Sequence, residues 1–198
     1  VEGGYRADDV KKALQMLCDA GIVKRVSHTA ANGLPLGCEV NDKFRKYIYL
    51  DSGLLLSTLN MDLGGSQQFT ELILAGAAEE LVNKGGLAEM VLGWELVKYS
   101  NPRSQHDLYY WENIVEGTSS EVDYVIARNM KVMPIECKAG TSGKMKSLRL
   151  FMRNKHLAEA YRCSLENFAL LENQDAQDRN SIRRIIVNPL YAISNIYQ

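Results

Sequence analysis

The sequence lacks the cysteine patterns that hold zinc or build a disulfide framework. No C-x-x-C pair occurs, and the four cysteines lie apart from one another, at Cys18, Cys38, Cys137 and Cys163. Free thiols are typical of a reducing compartment, so we expect a cytoplasmic protein. The three histidines are too dispersed to predict a metal triad or a nucleophile–base pair.

Long apolar runs and an excess of charge are also missing. No segment approaches the roughly 18 apolar residues needed to span a bilayer, and no signal peptide is present, so we expect no membrane partner. A net charge of −1 argues against a uniformly basic nucleic-acid binder, although it leaves local patches open. Residues 140–144 resemble a phosphate loop, but only two residues separate its glycines where four are required.

Two adjacent segments carry the chemistry, and we predict both to be strands: Glu121–Ile126 and Val132–Lys138. Alternation places Glu136 and Lys138 on one face of their strand, and a turn at Asn129 folds Asp123 back beside them. Two carboxylates can then share one Mg²⁺ or Mn²⁺, while Lys138 stabilises charge on a scissile phosphate or orients a water. This arrangement is typical of a metal-dependent phosphodiesterase. The alternative is an ordinary surface ion pair worth about 0–1 kcal/mol.

The composition is that of a globular protein, with 46% hydrophobic and 24% charged residues. Near the N-terminus, residues 7–20 have helical periodicity, and strands follow at 22–26 and 36–40. A helix followed by a hairpin indicates part of a winged helix, which either contacts DNA or packs against a neighbouring domain. A strand and a short helix then span residues 43–55. We place a boundary near residues 60–65, which divides the chain into units of residues 1–62 and 63–198.

The second unit is predicted to begin with a helix over residues 68–84, which contains Glu80 and ends at Gly85 and Gly86. Strands are then expected near residues 94–99, 108–113, 121–127 and 132–138, followed by a helix over 145–161 and strands at 167–171 and 182–187. This order predicts an α/β protein of the α+β kind, with a mixed sheet flanked by helices.

The strongest basic patch lies between residues 142 and 162, where the sequence has six Lys and Arg residues and one acid. We predict nucleic-acid binding by four of the six: Lys144, Lys146, Arg149 and Arg153. A phosphate backbone explains such a patch, and a solvated helix face is the alternative. The expected partner is DNA.

Short segments along most of the chain resemble one family and occur in the same order. They are carried by residues 13–23, 49–55, Gly76 with Glu80, 109–111, 121–123, 135–140 and 187–192. The chain resembles the C-terminal region, catalogued as domain of unknown function 4143, of bacterial and archaeal AAA-type ATPases. Such proteins have an N-terminal P-loop ATPase, then a winged helix, then a restriction-endonuclease-like domain of the PD-(D/E)XK type. The chain starts at Val1 without an initiator Met, so we expect the ATPase domain, its ATP site and its contacts with this chain to lie outside the sequence.

The resemblance implies a set of site residues. Glu80, with its neighbour Glu79 as the alternative, would join Asp123 and Glu136 as metal ligands, and Lys138 would be the catalytic lysine. Asp123, Glu136 and Lys138 together would form the catalytic group, with Mg²⁺ or Mn²⁺ as cofactor. Cys137 stands where the family usually has Val. The function expected is DNA binding and hydrolysis. The alternatives are a catalytically inactive interaction module of the same fold and, disfavoured, a transcription regulator acting through the winged helix.

Overall fold

A computed structural model describes residues 6–58, 84–103, 107–115, 118–140, 145–174 and 182–197. Its helices are α1 (Ala7–Asp19), α2 (Ser52–Thr58), α3 (Lys84–Tyr99) and α4 (Lys146–Asn154), with 3-10 segments at Leu36–Glu39 and Leu190–Ile196. Its strands are β1 (Val23–Thr29), β2 (Val40–Tyr49), β3 (Leu108–Val115), β4 (Thr118–Arg128), β5 (Lys131–Cys137), β6 (Glu159–Ser164), β7 (Ala169–Gln174) and β8 (Ile182–Pro189).

All eight of these strands form one sheet in the order β2-β1-β3-β4-β5-β6-β8-β7. The pairs β1–β3, β5–β6 and β6–β8 are parallel, and the other pairs are antiparallel. The predicted mixed sheet of an α+β protein is therefore confirmed. Strands β4 and β5 lie in the middle of the sheet, where both faces are covered, and this explains why residues 132–137 are all buried.

Helices cover both faces of the sheet. Helix α3 and the C-terminal 3-10 segment pack on one face, where Leu92, Leu96 and Ile193 join strand residues such as Tyr124 and Ile135. Helix α4 packs on the other face through three buried side chains, Leu148, Phe151 and Met152. The side chains of β5 alternate between the two faces of the sheet. Ile135 and Cys137 belong to the apolar cluster under α3, and Val132 belongs to the cluster under α4.

The predicted turn between β4 and β5 is present. Asn129 and Met130 form a two-residue connection, and both have positive φ values, 48° and 58°. Positive φ at both central residues is the signature of a type I′ turn, whose twist matches that of the flanking strands. The register of the hairpin follows from it: Arg128 opposes Lys131, and Tyr124 opposes Ile135.

The predicted strand at residues 94–99 is wrong, because these residues form the second half of α3. Gly85 and Gly86 do not end a helix either, since they lie in the first turn of α3. Leu92 and Leu96, four residues apart, are both fully buried. Short apolar runs around Trp94 fit a buried helix as well as a buried strand, and periodicity alone does not separate them. The predicted helix over 68–84 lies almost entirely outside the described residues.

Two other predicted elements need correction. The helix predicted over 145–161 ends at Asn154, and residues 159–164 form the buried strand β6, which was not predicted. His156, with a φ of 53°, reverses the chain between them. The strand predicted at 36–40 is a 3-10 turn through Leu36–Glu39, and β2 starts only at Val40.

The predicted helix and hairpin of the N-terminal part are present as α1, β1 and β2. Hairpin β1–β2 extends the same sheet, since Val26, Ser27 and His28 pair with Leu108, Tyr109 and Tyr110 of β3. The boundary predicted near residues 60–65 lies outside the described residues and stays a prediction, as does the assignment to a winged helix. None of the helices described has the length and apolar character required to cross a membrane.

Candidate metal centre

Asp123 lies at an irregularity of strand β4. Tyr109 of β3 pairs with Val125, but Trp111 pairs with Val122, so β4 has one extra residue between these two pairs. Such a bulge redirects a side chain at the point where it occurs. The Asp123 carboxylate accepts a hydrogen bond at Oδ2 from the backbone N–H of Cys137, 2.6 Å away on the next strand. This bond fixes the carboxylate beside the end of β5.

Glu136 and Lys138 meet at that end of β5, as the alternation predicted. The Lys138 ammonium donates to Glu136 Oε1 at 2.5 Å, whereas the intervening Cys137 side chain belongs to the apolar cluster under α3. Glu136 is only 5% exposed. Its second oxygen, Oε2, is buried and has no hydrogen-bond partner among the described residues. A buried carboxylate oxygen without a donor is costly, and a cation would relieve that cost.

Two further carboxylates stand next to Asp123. Glu89 projects from α3 and Glu121 from β4, and one oxygen from each lies within 4.8 Å of the others and of an Asp123 oxygen. Helix α3 is held in place here by the Tyr124 hydroxyl, which donates to the Glu89 carbonyl oxygen at 2.9 Å. We call Glu89, Glu121, Asp123 and Glu136 the carboxylate cluster.

A family model described as "Domain of unknown function (DUF4143)" matches residues 84–192. The chain belongs to this family. The matched DUF4143 region contains the whole carboxylate cluster together with Lys138. No curated protein and no solved structure matches the chain.

The DUF4143 site has a second lysine, Lys46, which comes from β2 and lies outside the matched region. Its ammonium contacts Glu89 Oε1 and donates to Glu121 Oε1 at 2.6 Å. The same ammonium lies 4.8 Å from the ring centre of Tyr110 and 5.7 Å from that of Tyr124. Aromatic faces attract cations, so four groups converge on one positive charge.

Burial and mutual repulsion perturb the acids of the cluster. Burial, followed by the charges of Glu136 and Glu89, raises the pKa of Asp123 to about 7. The pKa of Glu136 is also raised: burial is the main cause, and it outweighs the lowering by Lys138. Burial alone would lower the pKa of Lys138, but its bond to Glu136 raises it, so Lys138 stays charged at neutral pH. Perturbed carboxyl groups that share a buried position are typical of functional sites.

The structure brings together three of the predicted site residues, Asp123, Glu136 and Lys138. Glu80 and Glu79 lie outside the described residues. Glu89 is a helix carboxylate next to Asp123 that sequence reasoning missed, because no helix was predicted over residues 87–93. The signal was nevertheless present, since Glu89 is the only charged residue between Lys84 and Glu95. Glu121 was noticed only as part of its strand, and Lys46 gave no local signal.

Three of the four predicted nucleic-acid-binding residues lie on α4. Lys146, Arg149 and Arg153 are exposed, on the side of the helix away from its buried Leu148, Phe151 and Met152. Lys144 lies outside the described residues. Helix α4 packs against the strands that carry Asp123 and Glu136, on the face of the sheet opposite α3.

Proposed function

We propose that this DUF4143 protein is a metal-dependent phosphodiesterase that acts on DNA. One observation carries the proposal: Glu136, 5% exposed and with a buried oxygen that has no hydrogen-bond partner among the described residues, stands with Asp123 where the middle of β4 adjoins the end of β5. A buried and a half-buried carboxylate in such an arrangement repel each other, and a cation between them would relieve that repulsion.

The residues fit a hard divalent cation. The available donors are carboxylate oxygens, which suit Mg²⁺ or Mn²⁺, and no thiolate or imidazole takes part among the described residues of the cluster. Asp123 and Glu136 would hold the ion, with Glu89 from α3 as the third carboxylate in place of the predicted Glu80. A bound ion would polarise the phosphodiester and lower the pKa of a coordinated water.

Lys138 supplies a positive charge at this site. Its ammonium is bonded to Glu136 and stays protonated at neutral pH, so it acts as a charge and a hydrogen-bond donor rather than as a general base. It would stabilise the negative charge that develops on the phosphate oxygens during attack, or orient the attacking water. The hydrogen bond from the Cys137 N–H would hold the Asp123 carboxylate in position.

A DNA substrate is supported by the basic side chains of α4. Lys146, Arg149 and Arg153 are exposed on a helix that packs over β4 and β5, and Arg and Lys bind phosphates without regard to sequence. The acid, acid-x-lysine arrangement on two central strands also supports a PD-(D/E)XK assignment. Under this proposal the chain would serve an AAA-type ATPase in the cytoplasm, and its four unpaired cysteines agree with such a compartment.

The test compares Mn²⁺ binding and plasmid nicking in the wild type, Asp123→Asn and a matched control, Glu172→Gln. Asparagine keeps an oxygen that accepts from the Cys137 N–H, whereas Glu172 is an exposed acid paired with Arg184 on the far edge of the sheet. We expect Asp123→Asn to weaken Mn²⁺ binding at least tenfold and to abolish nicking, with Glu172→Gln unchanged. Equal Mn²⁺ affinity in all three proteins would contradict the proposal.

A second candidate function is a catalytically inactive module that binds DNA or a partner protein. It is favoured by one observation, that Lys46 and Lys138 already contact Glu89, Glu121 and Glu136. In that case Asp123→Asn would change stability without affecting Mn²⁺ binding, and wild-type protein would bind DNA in EDTA without nicking it in Mn²⁺.

A further inference from the structure

Lys46 reaches the carboxylate cluster from a distant part of the sheet. Its strand, β2, is separated from β4 by β1 and β3 in the sheet order, and the side chain extends over the ring of Tyr110 on β3. Lys46 and Glu121 are 75 positions apart in the sequence, and Lys46 and Glu89 are 43 apart. The contact depends on the complete fold, because no local pattern produces it.

The ammonium of Lys46 lies where a metal ion would find ligands. Glu89, Glu121 and Asp123 each offer an oxygen within 4.8 Å of the others, and Lys46 contacts the first two of these residues. Glu136 Oε2, which is buried and has no hydrogen-bond partner among the described residues, marks the position of the proposed catalytic ion. Asp123 and Glu89 would then serve both cation positions, since the proposed function also makes them ligands of the first ion. In two-metal phosphodiesterases, two ions about 3.5–4 Å apart stabilise the attacking and the leaving oxygens.

We propose that the Lys46 ammonium takes the place of a second metal ion, so that the wild-type protein binds one divalent cation and loss of the Lys46 charge opens a second site on Glu89, Glu121 and Asp123. This inference rests on the proposed function for its first ion. It adds that Lys46 is a positioning residue, which holds Glu89 and Glu121 and sets the number of ions.

The decisive measurement counts Mn²⁺ ions per chain by equilibrium dialysis, in the wild type and in three Lys46 variants. Lys46→Met keeps an unbranched side chain against Tyr110 and Tyr124 but removes the charge, and Lys46→Gln removes the charge but keeps a hydrogen-bond donor. Lys46→Arg retains the charge and is the matched control. We expect one ion in the wild type and in Lys46→Arg, and two ions in Lys46→Met and Lys46→Gln.

Either uncharged variant is sufficient, provided that its circular dichroism shows a folded protein. The same number of ions in the wild type and in a folded Lys46→Met or Lys46→Gln protein would overturn the role of Lys46. Wild-type protein that binds no Mn²⁺ would instead overturn the proposed function, and an ion bound only after Lys46 is replaced would still support the role of Lys46.

Glu121→Gln provides a test in which Lys46 remains intact. Under the proposal Glu121 serves Lys46 and not the first ion, so Glu121→Gln should bind one Mn²⁺ with less than a threefold change in affinity. The double variant Lys46→Met/Glu121→Gln should lose the second ion that Lys46→Met gains. A tenfold or greater loss of affinity in Glu121→Gln alone would show that Glu121 holds the first ion, and would overturn the assignment of Glu121 to Lys46.

Discussion

The carboxylate cluster and its two lysines form two halves, which the chain assembles in different ways. In the first half, Glu136 and Lys138 are two positions apart at the end of β5, and a two-residue turn connects β5 to the strand of Asp123. In the second half, Glu89, Glu121 and Lys46 come from a helix and two strands that are not adjacent in the sheet. The first half depends on local backbone geometry, whereas the second depends on how α3 and β2 pack. The two halves should therefore respond differently to substitutions.

The largest effect is expected at Asp123, which belongs to the first half and lies next to Glu89 and Glu121 of the second. In the unfolded chain its carboxyl group titrates near 3.8, and in the folded protein at about 7. Between these values the folded state binds the extra proton, so its contribution to stability is complete below pH 4 and is lost as the pH rises through 7. Urea unfolding in EDTA should show Asp123→Asn gaining stability over the wild type across this window, by up to about 4 kcal/mol at pH 8.

The control for this pH prediction is Glu172→Gln, an exposed carboxyl group outside the cluster. Its stability should follow the wild-type pH profile. If the Asp123→Asn and wild-type curves run parallel from pH 4 to 8, burial and the charges of Glu136 and Glu89 do not hold the proton on Asp123.

A smaller effect is expected from breaking the second half alone. Gly93 of α3 faces Tyr124, and a Cβ there would overlap the Tyr124 hydroxyl and lie 2.8 Å from Ile48 Cδ1. Gly93→Ala should push α3 away from β4, disturb the Tyr124–Glu89 hydrogen bond and destabilise the protein by about 2–3 kcal/mol. The Mn²⁺ affinity should also fall, since Glu89 moves with the helix. Thermal unfolding and Mn²⁺ titration measure the two effects.

Gly86→Ala is the matched control on the same helix, because a Cβ at Gly86 meets nothing within 4 Å. Alanine also favours helix, so stability should be unchanged or raised by up to about 1 kcal/mol. If Gly93→Ala and Gly86→Ala are equally stable, the Tyr124 ring moves aside at no cost, and the close packing of α3 on β4 is not what positions Glu89.

The same difference between the halves explains which site residues could be predicted from the sequence. The β4–β5 hairpin, its turn and the residues Asp123, Glu136 and Lys138 follow from alternation and turn chemistry, which act over a few residues. Glu89 was missed because α3 is apolar on most sides, so no helix was predicted over residues 87–93 and its second half fitted a strand. Lys46 was missed because its partners are set by the tertiary fold. Strand β6 was also missed, because the turn at His156 contains no Gly or Pro that would mark it in the sequence.

The smallest effect is expected at the turn that builds the first half. Met130 has a φ of 58° and is 90% exposed, so it adopts a left-handed conformation without burying its side chain in return. This conformation costs a non-glycine residue about 1–2 kcal/mol. The gain from replacing it with glycine is partly offset, because glycine loses more conformational entropy on folding. Met130→Gly should therefore stabilise the protein by about 0.5–1 kcal/mol in urea unfolding, and Asn129→Gly, the control, by less, because Asn tolerates positive φ. Mn²⁺ affinity should stay at the wild-type value, since the turn already holds β4 and β5 in register. A loss of stability in Met130→Gly would mean that the Met130 side chain contributes contacts that outweigh its backbone strain.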